Sequence, residues 1–209
     1  MTTVYLSVAL VAYLLGSVPF GYLLVKNFHG KDIRQTGSGN IGATNVARTG
    51  AKGLALLTLL LDAGKGVLAV LTAKYLYALQ GGTDERTARM MMAVAAFGAI
   101  AGHILPVWLK FRGGKGVATS VGAYLLIAPW ALALSGGVFL VLAASSRYIS
   151  LGSITAVALF PLFVRLLYPQ HPEVLPTMVA AVLIIVVRHR TNIRRLLAGT
   201  ESRLGAKAR

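Results

Sequence analysis

Thirteen consecutive residues, Thr36 to Arg48 (TGSGNIGATNVAR), gather hydrogen-bonding side chains in an otherwise apolar chain. Ser38, Asn40, Thr44 and Asn45 alternate there with Gly37, Gly39 and Gly42, and Arg48 closes the run. Glycines admit positive φ and close backbone approach, so main-chain N–H groups can converge on an anion while hydroxyls and amides add donors. The chemistry such a turn suits is the holding of a phosphate. Its spacing also satisfies G-x-G-x-x-G, but that fingerprint carries meaning only between a strand and a helix of a βαβ unit. Here a membrane-length apolar segment precedes it, which excludes the dinucleotide reading; a plain glycine-rich connector is the competing account.

Two further stretches combine cations with donors. Lys110-Phe111-Arg112-Gly113-Gly114-Lys115-Gly116 sets a lysine inside a glycine run, and Arg188-His189-Arg190-Thr191-Asn192-Ile193-Arg194-Arg195 leads to Glu201. A P-loop would need glycine at 109 and Ser or Thr at 116, where Leu109 and Gly116 stand, so an ATPase is excluded. Arg grips phosphate with a bidentate fork and Lys supplies a compact charge. Arg48 and Lys115, lying within the glycine turns, are the expected phosphate-holding cations. Lys110, Arg112, Arg194 and Arg195 are read instead as anchors on anionic lipid. His103 and His189 are the groups that titrate near neutral pH. His189 lies three positions before Asn192, which puts both on one side of a helix. Ser38 has no acid placed to orient a histidine for it, so it reads as an anion donor rather than a nucleophile.

The elements that must position these residues are membrane spans. Of 209 residues 56% are hydrophobic and 13% charged, with a mean hydropathy of +0.70, which marks an integral membrane protein without room for a separate soluble domain. The first apolar segment is read as retained rather than as a cleaved leader. Zero cysteines exclude disulfides, thiolate metal sites and thioester intermediates on the protein. The net charge of +15 is assigned to membrane orientation and anionic partners rather than to nucleic acid.

Apolar segments are predicted at about 3–24, 53–79, 90–109, 117–128, 130–144, 154–168 and 175–187. The fold class is therefore all-α, a polytopic bundle of seven transmembrane helices forming one domain over residues 1–209. The two middle segments are short, and a re-entrant pair with five full spans is equally consistent. A bend is predicted at Gly16 to Gly21 around Pro19. Sixteen of the 21 Lys and Arg fall on one proposed face, which puts the amino terminus outside and the carboxyl terminus in the cytoplasm. Asp62 and Lys65, i and i+3 inside the second segment, are either a structural ion pair or a substrate contact.

Taken together, GSVPFGYLLVK, GSGNIGATNVAR, LLLDAGKG, GHILPVWLKFRGGKGVAT, SLGSI and RHRTNIRRLLAGTE resemble the bacterial membrane-bound acyl-phosphate:glycerol-3-phosphate acyltransferases, the PlsY type. The likeness covers nearly the whole chain, and its order, spacing and sidedness make it specific. The resemblance implies transfer of a fatty acyl group from acyl phosphate to the 1-hydroxyl of glycerol 3-phosphate, giving lysophosphatidic acid and inorganic phosphate in phospholipid biosynthesis. It implies three cytoplasmic motifs at the active site of an inner-membrane enzyme, no cofactor or metal, and a soluble acyltransferase partner that makes acyl phosphate. Ser38, Arg48, Lys115, His189 and Asn192 are expected to be catalytic. Gly37, Gly39, Asn40, Thr44, Asn45, His103, Gly113, Gly114, Gly116 and Glu201 are expected to bind substrate or phosphate, Glu201 alternatively holding the tail to a cationic loop. The competing class is a small transporter of phosphorylated solutes, which intramembrane Asp and Lys would suit.

Overall fold

The computed structural model describes residues 2–205, and every regular element among them is helical. The first apolar stretch is broken where the Gly-Ser-Val-Pro run predicted a bend: α1 (Thr2–Ser17) stops before Pro19 and α2 (Phe20–His29) starts after it. Proline has no N–H to donate and its ring crowds the preceding turn, so one straight helix cannot continue. The short α3 (Ala43–Arg48) carries the end of the first glycine stretch, and α4 (Lys52–Leu79) follows at once. Asp84 caps α5 (Glu85–Ile104), its carboxylate accepting from Thr87 N–H at 2.7 Å. Such a bond satisfies one of the N–H groups a helix start leaves unpaired. Then come α6 (Val117–Leu125), α7 (Pro129–Ser146), α8 (Ile149–Leu167), α9 (Leu175–Arg188) and α10 (Arg190–Leu197).

Among the described residues the expected seven spans are matched only in part. By length and composition five stretches suffice to cross a membrane: Thr3–His29, Lys52–Leu79, Glu85–Leu109, Pro129–Ser146 and Ile149–Leu167. A sixth is formed only if Pro172–Arg188 and Arg190–Leu197, bent by 54°, count as one. The nine residues of α6 extend about 14 Å at 1.5 Å each, half a hydrocarbon core of about 30 Å. Of the two middle segments, the first is thus too short to cross and the second, α7 with 18 residues, is long enough. Outward-facing leucines such as Leu6, Leu10 and Leu14 on α1 and Leu56 and Leu60 on α4, with Trp130 72% exposed, form apolar surfaces that suit lipid rather than water.

The chain forms two compact units, one up to Ile127 and one from Ala128 onward. In the first, α1 packs on α4 and α5, and α4 on α6. Its centre is a cluster of small residues, Val8, Ala12, Ala69, Ala73, Ala95 and Ala99. Glycines bring the backbones closer still: a Cβ on Gly16 would collide with Ala99 O, and one on Gly122 with Ala63 O. Lipid removes the hydrophobic drive for helix association, so close van der Waals packing of small residues takes its place. In the second unit α7 packs along α8, and α8 along α9. The turn between α7 and α8 is made by Arg147 in the left-handed conformation, φ 63°.

Candidate active site

The first glycine stretch is organised by one amide. Asn45, buried at 2% exposure, directs Nδ2 at the carbonyls of Asn40 (2.8 Å), Thr36 (3.0 Å) and Ile33 (3.3 Å), while its Oδ1 accepts from Ser38 N–H at 2.8 Å. Gly37 and Gly39 turn the chain around it with φ of 55° and 68°. A Cβ on Gly37 would collide with Asn45 Oδ1. Asn40 Oδ1 ties the next turn by accepting from Gly42 N–H at 2.8 Å. Both amides thus spend polar atoms on the turn, while Ser38, Thr44 and Arg48 remain exposed on it.

The second stretch folds back on the end of α5. Gly114 N–H donates to His103 O at 3.0 Å and Gly113 N–H to Ile104 O at 3.1 Å. A Cβ on Gly113 would strike His103 O, and one on Gly114 would strike His103 Nε2. Gly116, φ 90°, then opens α6, which no side chain caps. A helix start of that kind leaves N–H groups and the positive end of the helix dipole for an anion. Lys115 is half-buried just ahead of it, and His103 is 4% exposed beneath the strap.

The two stretches share a foundation. Ile41 and Val46 of the first, Ile33 just ahead of it and Leu109 just ahead of the second pack with Val25 and Ala55 in one buried cluster. Each of the larger side chains contributes about 1.5–3 kcal/mol on full burial, which offsets part of the conformational entropy lost on ordering an irregular polar loop. One expectation is corrected here. Glycine N–H groups were to converge on the anion, but those of Gly39, Gly42, Gly113 and Gly114 are bonded to Thr36 O, Asn40 Oδ1, Ile104 O and His103 O. Their glycines shape the turn, and the donors presented outward are side chains and the start of α6.

In the second unit Glu201 is the hub. Its Oε1 accepts from Ser150 Oγ and from Asn192 Nδ2, each at 2.7 Å, and its Oε2 from Arg195 Nε at 2.6 Å. Burial alone would raise this carboxyl, but the bonds from Arg195, Ser150 and Asn192 and the Arg195 charge carry it below its ordinary value. A carboxylate so engaged anchors the tail, the second of its two expected roles. Arg195 is likewise an ion-pair partner rather than a lipid anchor. Leu204 N–H donates to Arg147 O at 2.7 Å, and Arg147 Nη2 donates to Leu204 O at 2.8 Å. His189, 2% exposed, places Nδ1 at 2.8 Å from Ile185 O. A carbonyl can only accept, so Nδ1 is the donor in that bond. Asn192 is 3% exposed, and its Oδ1 is buried with no hydrogen-bond partner among the described residues.

Sequence reasoning attached no role to Ser150. The signal available was the SLGSI stretch, whose need becomes visible only when Glu201 is seen across the turn.

A helical chain with several membrane-length apolar stretches and apolar outer faces is an integral membrane protein. The glycerol-3-phosphate acyltransferase family matches residues 6–199. The glycerol-3-phosphate acyltransferase of Rhodospirillum rubrum is 47% identical, covering 95% of this chain and 90% of that one. That of Paramagnetospirillum magneticum is 50% identical over 93% and 91%. The crystal structure of PlsY (YgiH), an integral membrane glycerol 3-phosphate acyltransferase, in its glycerol 3-phosphate form is 36% identical, covers 96% of each chain and superposes with a TM-score of 0.84. Its lysophosphatidic acid form is 35% identical over 96% and 95%, with a TM-score of 0.81. The chain belongs to the glycerol-3-phosphate acyltransferase family and is an acyltransferase, which sets the transporter reading aside.

Proposed function

We propose that the enzyme moves a fatty acyl group from acyl phosphate to the 1-hydroxyl of sn-glycerol 3-phosphate, releasing 1-acyl-sn-glycerol 3-phosphate and inorganic phosphate at the cytoplasmic face of the bacterial inner membrane. The observation that carries this reading is the pair of glycine turns, one ending in Arg48 and one holding Lys115, on a single buried cluster of the first unit. Two cationic turns suit two phosphorylated reactants. The solved relative is described with glycerol 3-phosphate and with lysophosphatidic acid, which supports the acceptor and the product.

Acyl phosphate is a mixed anhydride with a good leaving group, so alignment, water exclusion and charge stabilisation suffice for transfer. The glycerol oxygen attacks the acyl carbon, the bond from that carbon to the phosphate oxygen breaks, and the hydroxyl proton passes to a substrate phosphate. No acyl-enzyme forms. Lys115, Arg48 and the N-terminus of α6 hold phosphate, with Ser38 and Thr44 adding donors. The resemblance gives His189 and Asn192 of the second unit the task of orienting the glycerol hydroxyls, and His103 supports the second turn. The acyl tail enters from the bilayer along the leucine face of α4, and a soluble acyltransferase supplies the acyl phosphate.

Purified protein in lipid nanodiscs should form lysophosphatidic acid from palmitoyl phosphate and glycerol 3-phosphate, and should fail with palmitoyl-CoA or palmitoyl-acyl carrier protein. Equal rates with a thioester donor would refute the donor assignment.

A further inference from the structure

Three ionisable groups lie buried in the first unit below both glycine turns: Asp62 at 3%, Lys65 at 5% and His103 at 4% exposure. Lys65 Nζ stands 2.8 Å from Asp62 Oδ1 and donates to Val18 O at 2.8 Å, the carbonyl at the break between α1 and α2. The same ammonium lies 5.7 Å from the centre of the Phe20 ring. His103 Nδ1 is 3.4 Å from the same Oδ1, within ion-pair distance but without hydrogen-bond geometry. His103 Nε2 in turn sits under Gly114, where it would collide with a Cβ.

A buried pair that merely neutralises itself is replaceable by apolar side chains at little cost. This group extends beyond a pair, because its far end is the imidazole on which the Lys115 turn rests. Its near end is also tied to the first turn. Gly21, three residues beyond Val18, packs so tightly under Ile41 O that a Cβ could not fit. We infer that Asp62 and Lys65 are positioning residues: they fix the ring and tautomer of His103, and through it the Gly113–Gly116 strap, relative to the break that carries the first turn. A carboxylate 3.4 Å from Nδ1 attracts a proton to that nitrogen. The role in turnover rests on the proposed acyl transfer, whereas the proton on Nδ1 does not.

The test separates positioning from simple charge pairing. Asp62→Asn alone strands a buried ammonium, so the double variant Asp62→Asn/Lys65→Met is the informative one. Its melting temperature in detergent is expected to return close to that of the parent, while kcat stays lower by about tenfold to a hundredfold, the usual cost of a misplaced site. In a His103→Asn background the double substitution should cost nothing further, since the path it acts through is gone. Full turnover in the double variant, or losses that add independently to that of His103→Asn, would overturn the proposal.

Nitrogen chemical shifts of 15N-histidine in the parent give a second reading that needs neither turnover nor a variant's folding. His103 is expected to carry its proton on Nδ1, and a bare Nδ1 would overturn the proposal by itself. A parent chain with no acyl transfer would instead remove the proposed function and leave the imidazole result standing.

Discussion

Asn45, expected to meet substrate, uses its amide to build the turn in which it sits. Its amide closes four hydrogen bonds within the loop, and each contributes about 1 kcal/mol net. Asn45→Ala should therefore cost roughly 2–4 kcal/mol, read as a lower melting temperature in detergent together with lost turnover; an unchanged melting temperature would contradict the geometry. Ser38 is the opposite case, with an exposed hydroxyl on a turn shaped by others. Ser38→Ala should retain activity, reduced about 10-fold to 100-fold, as for one hydrogen bond to a charged group. Trapping a labelled acyl group on Ser38 would show a covalent route instead. Side-chain types in this loop suit phosphate chemistry. Which of them face inward was not legible in the sequence, because that depends on Ile33, Ile41 and Val46 sinking into a cluster completed by Leu109, far along the chain.

The tail shows the same limit at the level of elements. Helical spacing was read as putting His189 and Asn192 on one side of a helix, whereas His189 stands at the break between α9 and α10; Asn192 is held by Glu201, itself bonded to Ser150 at the start of α8, and nothing local to RHRTNIRRLLAGTE announces that contact. Because the Glu201 carboxyl is held below its ordinary value, the anchorage it provides is complete above the carboxylate range and is lost as pH falls through the lowered folded value. Limited proteolysis between Arg195 and Leu204 should accordingly be flat from neutral pH down to about pH 5 and rise only below it. Glu201→Gln should open the tail at neutral pH, since its amide NH2 would have to face a donor. Protection unchanged in that variant would argue against the hub. Helix boundaries were largely legible from hydropathy and from Pro19 and Pro129. The second segment of the middle region was longer than expected, and the first too short to cross.

At the scale of the whole molecule, the basic stretches predict sidedness. The absence of native cysteine makes single-cysteine labelling clean. Thr83→Cys should react with an impermeant maleimide in intact cells, whereas Arg112→Cys and Ser202→Cys should react only after permeabilisation; labelling of all three from outside would refute the orientation. What was hidden at this scale is the division at Ile127 and Ala128, since the apolar runs on either side look alike in composition.

The account stands or falls on direct transfer held by two cations. The most direct measurement follows inorganic phosphate and lysophosphatidic acid together, from palmitoyl phosphate and glycerol 3-phosphate, for the parent, Arg48→Ala and Lys115→Ala in nanodiscs. The parent should release phosphate in step with lysophosphatidic acid, and each variant should stay folded yet lose at least about a hundredfold in rate, the scale of one charged contact made to the reacting phosphate. Parent-like rates in either variant, or phosphate released ahead of lysophosphatidic acid with the acyl group retained on the protein, would contradict it.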